Sequence, residues 1–192
     1  MRSRIIALAG VAGCGKDTVA SFLPGPKVRF ADPIKQFCAQ VFGWSEEQLY
    51  GPSALREVPD PKWDGLTPRK ALQTLGTEWG RAMHPDIWAR AGVAMAVEVA
   101  EGRGFGDSPP PCVAIPDTRF KNEATAVQAA GGEVWLIVRP GVGGGTHASE
   151  LEVQSGAFAA LVDRVIVNDG TLIDLQVKVL QAYARERPAR SY

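Results

Sequence analysis

The sequence predicts an α/β protein: a parallel β-sheet between two layers of helices. Three observations carry this expectation. Short, continuously apolar runs alternate with helical stretches along the chain. The first of those runs leads directly into a glycine-rich turn that opens a helix. No internal repeat interrupts the 192 residues. Continuous apolar runs read as strands buried on both faces, and strands that alternate with helices are joined as parallel neighbours by helical crossovers.

Each element follows in order. Residues 5–9 (Ile-Ile-Ala-Leu-Ala) form the first buried strand, and a helix runs over 16–23 until Pro24-Gly25-Pro26 stops it. Residues 27–30 are a short second strand. Residues 31–42 are helical, with Ile34, Phe37, Cys38 and Val41 at helical spacing. Residues 44–66 are irregular. Thr67 and Pro68 then supply an N-cap and a first helical residue for a helix reaching Arg81. A further helix over 86–101 presents Ile87, Ala91, Ala94, Met95 and Val99. After a proline-rich loop come a strand at 112–115, a helix at 120–130 and a strand at 133–138. A glycine-rich loop, a helix at 149–161, a strand at 164–167 and a closing helix at 171–187 complete the chain. Five parallel strands are therefore expected in a single domain over 1–192, with 44–101 as a helical insertion and 139–150 as a lid-like loop. Ligands of such sheets lie at the carboxyl ends of the strands.

Composition narrows the function. Lys plus Arg and Asp plus Glu both number 21, so no basic excess points to a nucleic acid polymer. Three cysteines without paired spacing suggest neither a disulfide framework nor a metal cluster, and fit a reduced cytoplasmic setting. No apolar stretch reaches the ~18 residues of a membrane span. The short apolar start leads into a glycine turn rather than a leader cleavage site.

Gly10-Val11-Ala12-Gly13-Cys14-Gly15-Lys16-Asp17-Thr18 carries the chemistry. Glycines let backbone N–H groups surround an anion, the helix start adds partial positive charge, and Lys16 reaches the outer phosphates of a nucleotide. Asp17 stands where Ser or Thr usually ligates Mg2+. It either holds Mg2+, directly or through water, or is a first-turn acid stabilised by the helix dipole. Thr18 comes one place on. Arg69, Gln73, Gly76 and Thr77 lie three or four residues apart and are expected on one helix face, where Arg suits a phosphate and Gln a base edge. Asp117 ends the 112–115 strand, where it can orient Mg2+ or cap the next helix. Arg119 can clamp an acceptor phosphate.

Several strings, in order, resemble the phage-type deoxynucleoside monophosphate kinases: Gly13-Cys14-Gly15-Lys16-x-Thr18, Phe30-Ala31-Asp32-Pro33-Ile34-Lys35, the 67–81 helix with Pro85-Asp86-Ile87-Trp88, Asp117-Thr118-Arg119-Phe120-Lys121-Asn122-Glu123-Ala124, and His147-Ala148-Ser149-Glu150 after Arg139-Pro140. The resemblance implies a nucleoside monophosphate kinase core, ATP with Mg2+ as donor, and a deoxynucleoside monophosphate as acceptor, in the cytoplasm of a host if the source is a phage. It implies donor contacts at Gly10, Gly13, Cys14, Gly15, Lys16, Asp17 and Thr18. It also puts Asn168 and Gly170 near the adenine, although a turn with a helix cap accounts for the same two residues. Acceptor contacts are expected from Asp32, Lys35, Arg56, Arg69, Gln73, Thr77, Arg81, Trp88 and Arg119. Lys16, Arg119 and Asp117 are the catalytic candidates, Asp17 and Asp117 the Mg2+ candidates. The loop bearing Arg139, His147 and Glu150 is either a lid or a surface loop, and a homodimer is left open. Two other functions remain at this point: a kinase for another small acceptor such as dephospho-coenzyme A, and a nucleotide-dependent ATPase switch.

Overall fold

A computed structural model describes residues 3–103, 108–143 and 148–186, the last segment by backbone alone over 148–150. The chain divides into two compact units, residues 1–29 with 93–192, and residues 30–92.

The first unit holds a sheet of four parallel strands. They are β1 (Arg4–Ala9), β2 (Cys112–Thr118), β3 (Glu133–Val138) and β4 (Arg164–Val167), in the order β2-β1-β3-β4. β1 is a central strand, and all of it after Arg4 is buried, which explains its unbroken apolar sequence. Helices α1 (Lys16–Phe22) and α9 (Leu172–Ala184) pack together over one face of the sheet. There Val19 and Ala20, with Leu175 and Val179, meet Ile6, Leu8, Trp135 and Ile137. Helix α6 (Lys121–Ala129) lies against β1 and β3. At the amino end of the sheet the buried Glu133 accepts from Arg4 at 2.7 and 2.9 Å, from Arg164 at 3.3 Å and from the Trp135 indole at 3.1 Å. That pairing is what allows a carboxylate to be buried among apolar strands.

The fifth strand expected at 27–30 is reduced to one parallel bridge. Lys27 pairs with Ala114, Val28 N–H donates to Ala114 O at 2.9 Å and Ala114 N–H to Pro26 O at 3.0 Å. Pro24 and Pro26 on one side and the start of the next helix at Asp32 on the other leave no length for a ladder. β2, by contrast, runs past Ile115 to Thr118. Its register against β1 jumps between Ala7↔Ile115 and Ala9↔Thr118. Pro116, which has no N–H to give, and Asp117 occupy this bulge.

The second unit is a set of short helices around Ile34, Cys38, Trp44, Leu49 and Ala71. It contains α2 (Asp32–Phe42), α3 (Glu46–Tyr50), α4 (Pro68–Gln73) and, directly after α4, a π-helical segment Thr74–Arg81. Thr67 caps α4 through Lys70 N–H at 3.1 Å, as its sequence anticipates. Phe37 and Val41 of α2 are exposed; only Ile34 and Cys38 of the expected apolar face are buried. Helix α5 (Ile87–Ala100) begins in this unit and ends in the other. It buries Ala89, Val93, Ala96 and Val99, whereas Ala94, expected inside, is exposed.

Candidate active site

The phosphate loop follows β1, and the carboxyl ends of β3 and β4 reach it. Gly10 (φ 146), Gly13 (φ 75) and Gly15 (φ 105) take conformations that side chains resist. A Cβ at Gly10 would lie 2.5 Å from the Ile137 carbonyl and 2.6 Å from Cys14 Sγ, so only glycine lets the loop turn this closely over β3. Lys16 Nζ donates to the carbonyls of Gly10 and Val11, each at 2.8 Å, and lies 3.8 Å from Cys14 Sγ. The ammonium is thereby held at the mouth of the loop. Cys14 is wholly buried. Burial pushes its thiol up, with the Lys16 charge opposing, so the sulfur is a packed apolar group rather than a nucleophile.

Each strand end contributes. From β3, the loop start at 139–143 returns to the phosphate loop, with Val142 Cγ1 3.6 Å from a Cβ placed on Gly13. Arg139 is exposed. His147 lies outside the described residues, and Glu150 falls in helix α7 (Ala148–Val153). From β2, the bulge brings Asp117 to the strand end. At the start of α6, Glu123 Oε2 accepts from Arg119 N–H at 2.8 Å and from Phe120 N–H at 3.1 Å. Glu123 thus fixes the backbone at Arg119, whose side chain is exposed. From β4, Asn168 Nδ2 donates to the Cys14 carbonyl at 3.0 Å. Gly170 lies beside Asp174, the partner of the α9 cap Thr171.

Sequence reasoning passed over Arg29. It pairs with Asp17 at 3.5 Å, and the Asp17 carboxylate is 81 % exposed. The signal was present in Lys27-Val28-Arg29, a basic residue at the carboxyl end of a strand-like segment.

Mg2+ takes one or two carboxylates plus phosphate oxygens. Asp17 at the first turn of α1 fits that donor set, being solvated and only loosely paired. So does Asp117, beside which Thr118 Oγ1 is a buried hydroxyl with no hydrogen-bond partner among the described residues. Mg2+ held there would neutralise charge on a bound polyphosphate.

In the 30–92 unit two of the expected arginines come together. Arg69 Nε donates to Glu57 Oε1 at 2.8 Å, with Ser53 Oγ also in contact. Arg56 Nη1 donates to the carbonyls of Gly51 at 2.9 Å and Leu49 at 3.3 Å. Burial and then the charge of Arg69 hold the Arg56 pKa below its ordinary value, with Glu57 opposing. Glu57, which pairs with Arg69 at 2.8 Å, offsets part of that repulsion. Lys35 lies 4.0 Å from the Tyr50 ring centroid, and Asp32 is buried in the first turn of α2.

The expected face of the 67–81 helix changes beyond Gln73, because the wider π-turn breaks the three-and-four spacing. Gly76 faces the core, while Gln73 and Thr77 remain exposed and Arg81 is half-buried. The cause is Trp88. Its Nε1 donates to the Gly76 carbonyl at 2.7 Å, and its ring sits so close to Gly80 that a Cβ there would be 2.4 Å from Cζ2. Trp88 is therefore a packing residue of this helix, and its indole N–H already has an acceptor.

No family model matches the chain. Among solved structures it overlaps a dephospho-CoA kinase from Campylobacter jejuni with a TM-score of 0.47 and 17% identity, over 95% of this chain and 96% of that one. It overlaps an APS kinase from Mycobacterium tuberculosis with a TM-score of 0.44 and 11% identity, over 94% and 96%. A sequence relative is much nearer. A protein of Acanthamoeba polyphaga mimivirus, described as "Putative deoxynucleotide monophosphate kinase", is 34% identical over 189 residues, which is 92% of this chain and 94% of the viral one. On that identity over nearly its whole length, the chain belongs to the deoxynucleotide monophosphate kinase family.

Proposed function

We propose that the protein transfers the γ-phosphate of ATP to a deoxynucleoside monophosphate, giving ADP and the deoxynucleoside diphosphate. The observation that carries this reading is a complete phosphate loop, with Lys16 held at its mouth, in a chain that matches its viral relative almost end to end. An acceptor phosphate oxygen attacks the γ-phosphorus in line as the bond to the β-bridging oxygen breaks, so no covalent enzyme intermediate forms. Lys16 and the loop N–H groups stabilise the charge that develops on the transferred group. Arg56, Arg69 and Arg81 bind the acceptor phosphate, Gln73 and Thr77 its base and sugar, and Arg119 reaches the transferred group. Asp17 and Asp117 would hold Mg2+, which would supply positive charge to offset that of the donor phosphates. The 139–150 segment acts as the lid that keeps water from competing as acceptor.

A coupled ADP-release assay with and without each dNMP tests the reaction. ADP release that rises only with a dNMP supports it; release independent of any acceptor points to a simple ATPase. Matched ribonucleotides refine the result. A pocket that buries a 2′-hydroxyl without a partner penalises it by about 1–3 kcal/mol, so dNMPs should exceed NMPs by roughly ten- to one-hundred-fold in kcat/KM. Equal rates for both sugars would remove the discrimination.

A further inference from the structure

The family resemblance put Asn168 beside the adenine, but the contact its side chain makes is with the phosphate loop. Asn168 Nδ2 donates to the Cys14 carbonyl at 3.0 Å, and the Asn168 backbone is itself fixed by its N–H bond to Val138 O at 2.7 Å. The amide therefore stands on the sheet, not on a free loop. The Cys14 carbonyl and the Gly15 N–H belong to one planar trans peptide and point in opposite directions. A donor that holds the carbonyl on the Asn168 side turns the Gly15 N–H to the other side. Gly15 caps α1 in a left-handed conformation, φ 105, and Gly13 two residues back has φ 75. Rotation of that peptide changes ψ at Cys14 and φ at Gly15, and at Gly15 no Cβ resists it; a rotated peptide would present a carbonyl where an anion needs a donor. The approach is close: a Cβ on Gly15 would lie 2.7 Å from Asn168 Nδ2. Gly15 and Asn168 form a matched pair, the glycine leaving the room that the amide fills.

We propose that Asn168 is a positioning residue for the donor site: it locks the Cys14–Gly15 peptide so that the Gly15 N–H is presented to the polyphosphate of the donor nucleotide. This rests on the phosphate-loop reading above but not on the identity of the acceptor. Asn168→Asp keeps the size of the side chain and removes the donor. Calorimetric titration of the full chain with tripolyphosphate and with ATP should show both weakened, by roughly five- to tenfold, the scale of one neutral hydrogen bond. The melting temperature should stay within a few degrees of the parent. In steady state the KM for ATP should rise, the KM for the acceptor at saturating ATP should not, and the preference for ATP over GTP should be unchanged, since both share the triphosphate. Asn168→Gln, which keeps an amide donor, should recover part of the loss. Tripolyphosphate binding that is retained while ATP binding or the ATP-to-GTP preference falls would overturn the proposal and give Asn168 to the base. Unchanged binding of both probes overturns it as well. If Asn168→Asp is too unstable to assay, Asn168→Ala removes the donor without adding charge and is read by the same outcomes. Absence of dNMP-dependent turnover in the parent chain would break the proposed reaction and leave the tripolyphosphate result standing.

Discussion

The phosphate loop and the 30–92 unit are built in opposite ways. The loop is nine consecutive residues whose shape is set by local chemistry: a buried strand before, a helix after, and glycines where φ is positive. The 30–92 unit combines local caps, at Ser45 and Thr67, with contacts between residues further apart. Its short helices and π-turn take their form from side chains far apart in sequence, such as Trp88 on Gly76 and Gly80, or Trp63 on Phe42. A site made of contiguous backbone can be read from sequence; a site made of side chains on irregular helices has to be assembled first.

That contrast predicts different consequences of damage. The largest effect should come from the loop. Lys16→Ala should leave the fold intact and cut turnover by roughly 100- to 1,000-fold, the range for losing a preorganised charge at the transition state. A folded Lys16→Ala enzyme with near-parental turnover would show that the loop is not the donor site. Next come the arginines of the other unit. Arg69→Ala and Arg81→Ala should each weaken use of the acceptor by about 1.5–3 kcal/mol, the value of a charge-assisted contact, while ATP affinity by titration holds. Weakened ATP binding with a normal acceptor response would move these residues to the donor side.

Two smaller effects sharpen the comparison. Gly80→Ala sets a Cβ 2.4 Å from the Trp88 ring and should destabilise the protein by about 1–3 kcal/mol through overpacking. Because the π-helical segment carries Thr77 and Arg81, the acceptor KM should rise while ATP affinity stays constant. A parental melting curve would mean that Trp88 yields and does not hold the turn. The smallest effect concerns the thiols. Cys14, in the loop, and Cys38, in the other unit, are both buried and their pKa values are raised, Cys38 to about 11 by burial. At pH 7 neither should react with maleimide in the folded protein, and activity should survive the treatment. As the Cys38 pKa lies above its unfolded value, it favours the folded state below about pH 9 and loses that contribution as pH climbs toward 11. Rapid labelling of Cys14 at neutral pH would reveal a loop far more open than its buried sulfur implies.

Much of the first unit was legible because its signals are short-range. The strands at 5–9, 133–138 and 164–167 follow from apolar runs, and in the other unit the cap at Thr67 follows from its own chemistry. The family resemblance, carried by strings spread from Gly10 to Gly170, agrees with the viral relative. The misses are long-range. The 27–30 strand shrank because pairing depends on the neighbouring Ala114 and on prolines that limit its length. On α5, Val99 is buried as expected and Ala94 is exposed, because what packs against a helix decides which part of its apolar face is covered.

The sequence by itself determined the alternation of strands and helices, the phosphate loop with its glycines and lysine, and the family. These depend on neighbours along the chain, where backbone sterics and period act directly. The bulge at Pro116 and Asp117 and the bonds that Glu123 makes to the backbone of Arg119 and Phe120 were decided by the tertiary structure. It alone decided that Arg56 and Arg69 share an electrostatic neighbourhood, and that Asn168 reaches across 154 positions to the Cys14 carbonyl. The physical reason is the same in each case: a hydrogen bond or a charge acts over a few ångströms of space, and sequence separation says nothing about which distant groups folding will bring within that reach.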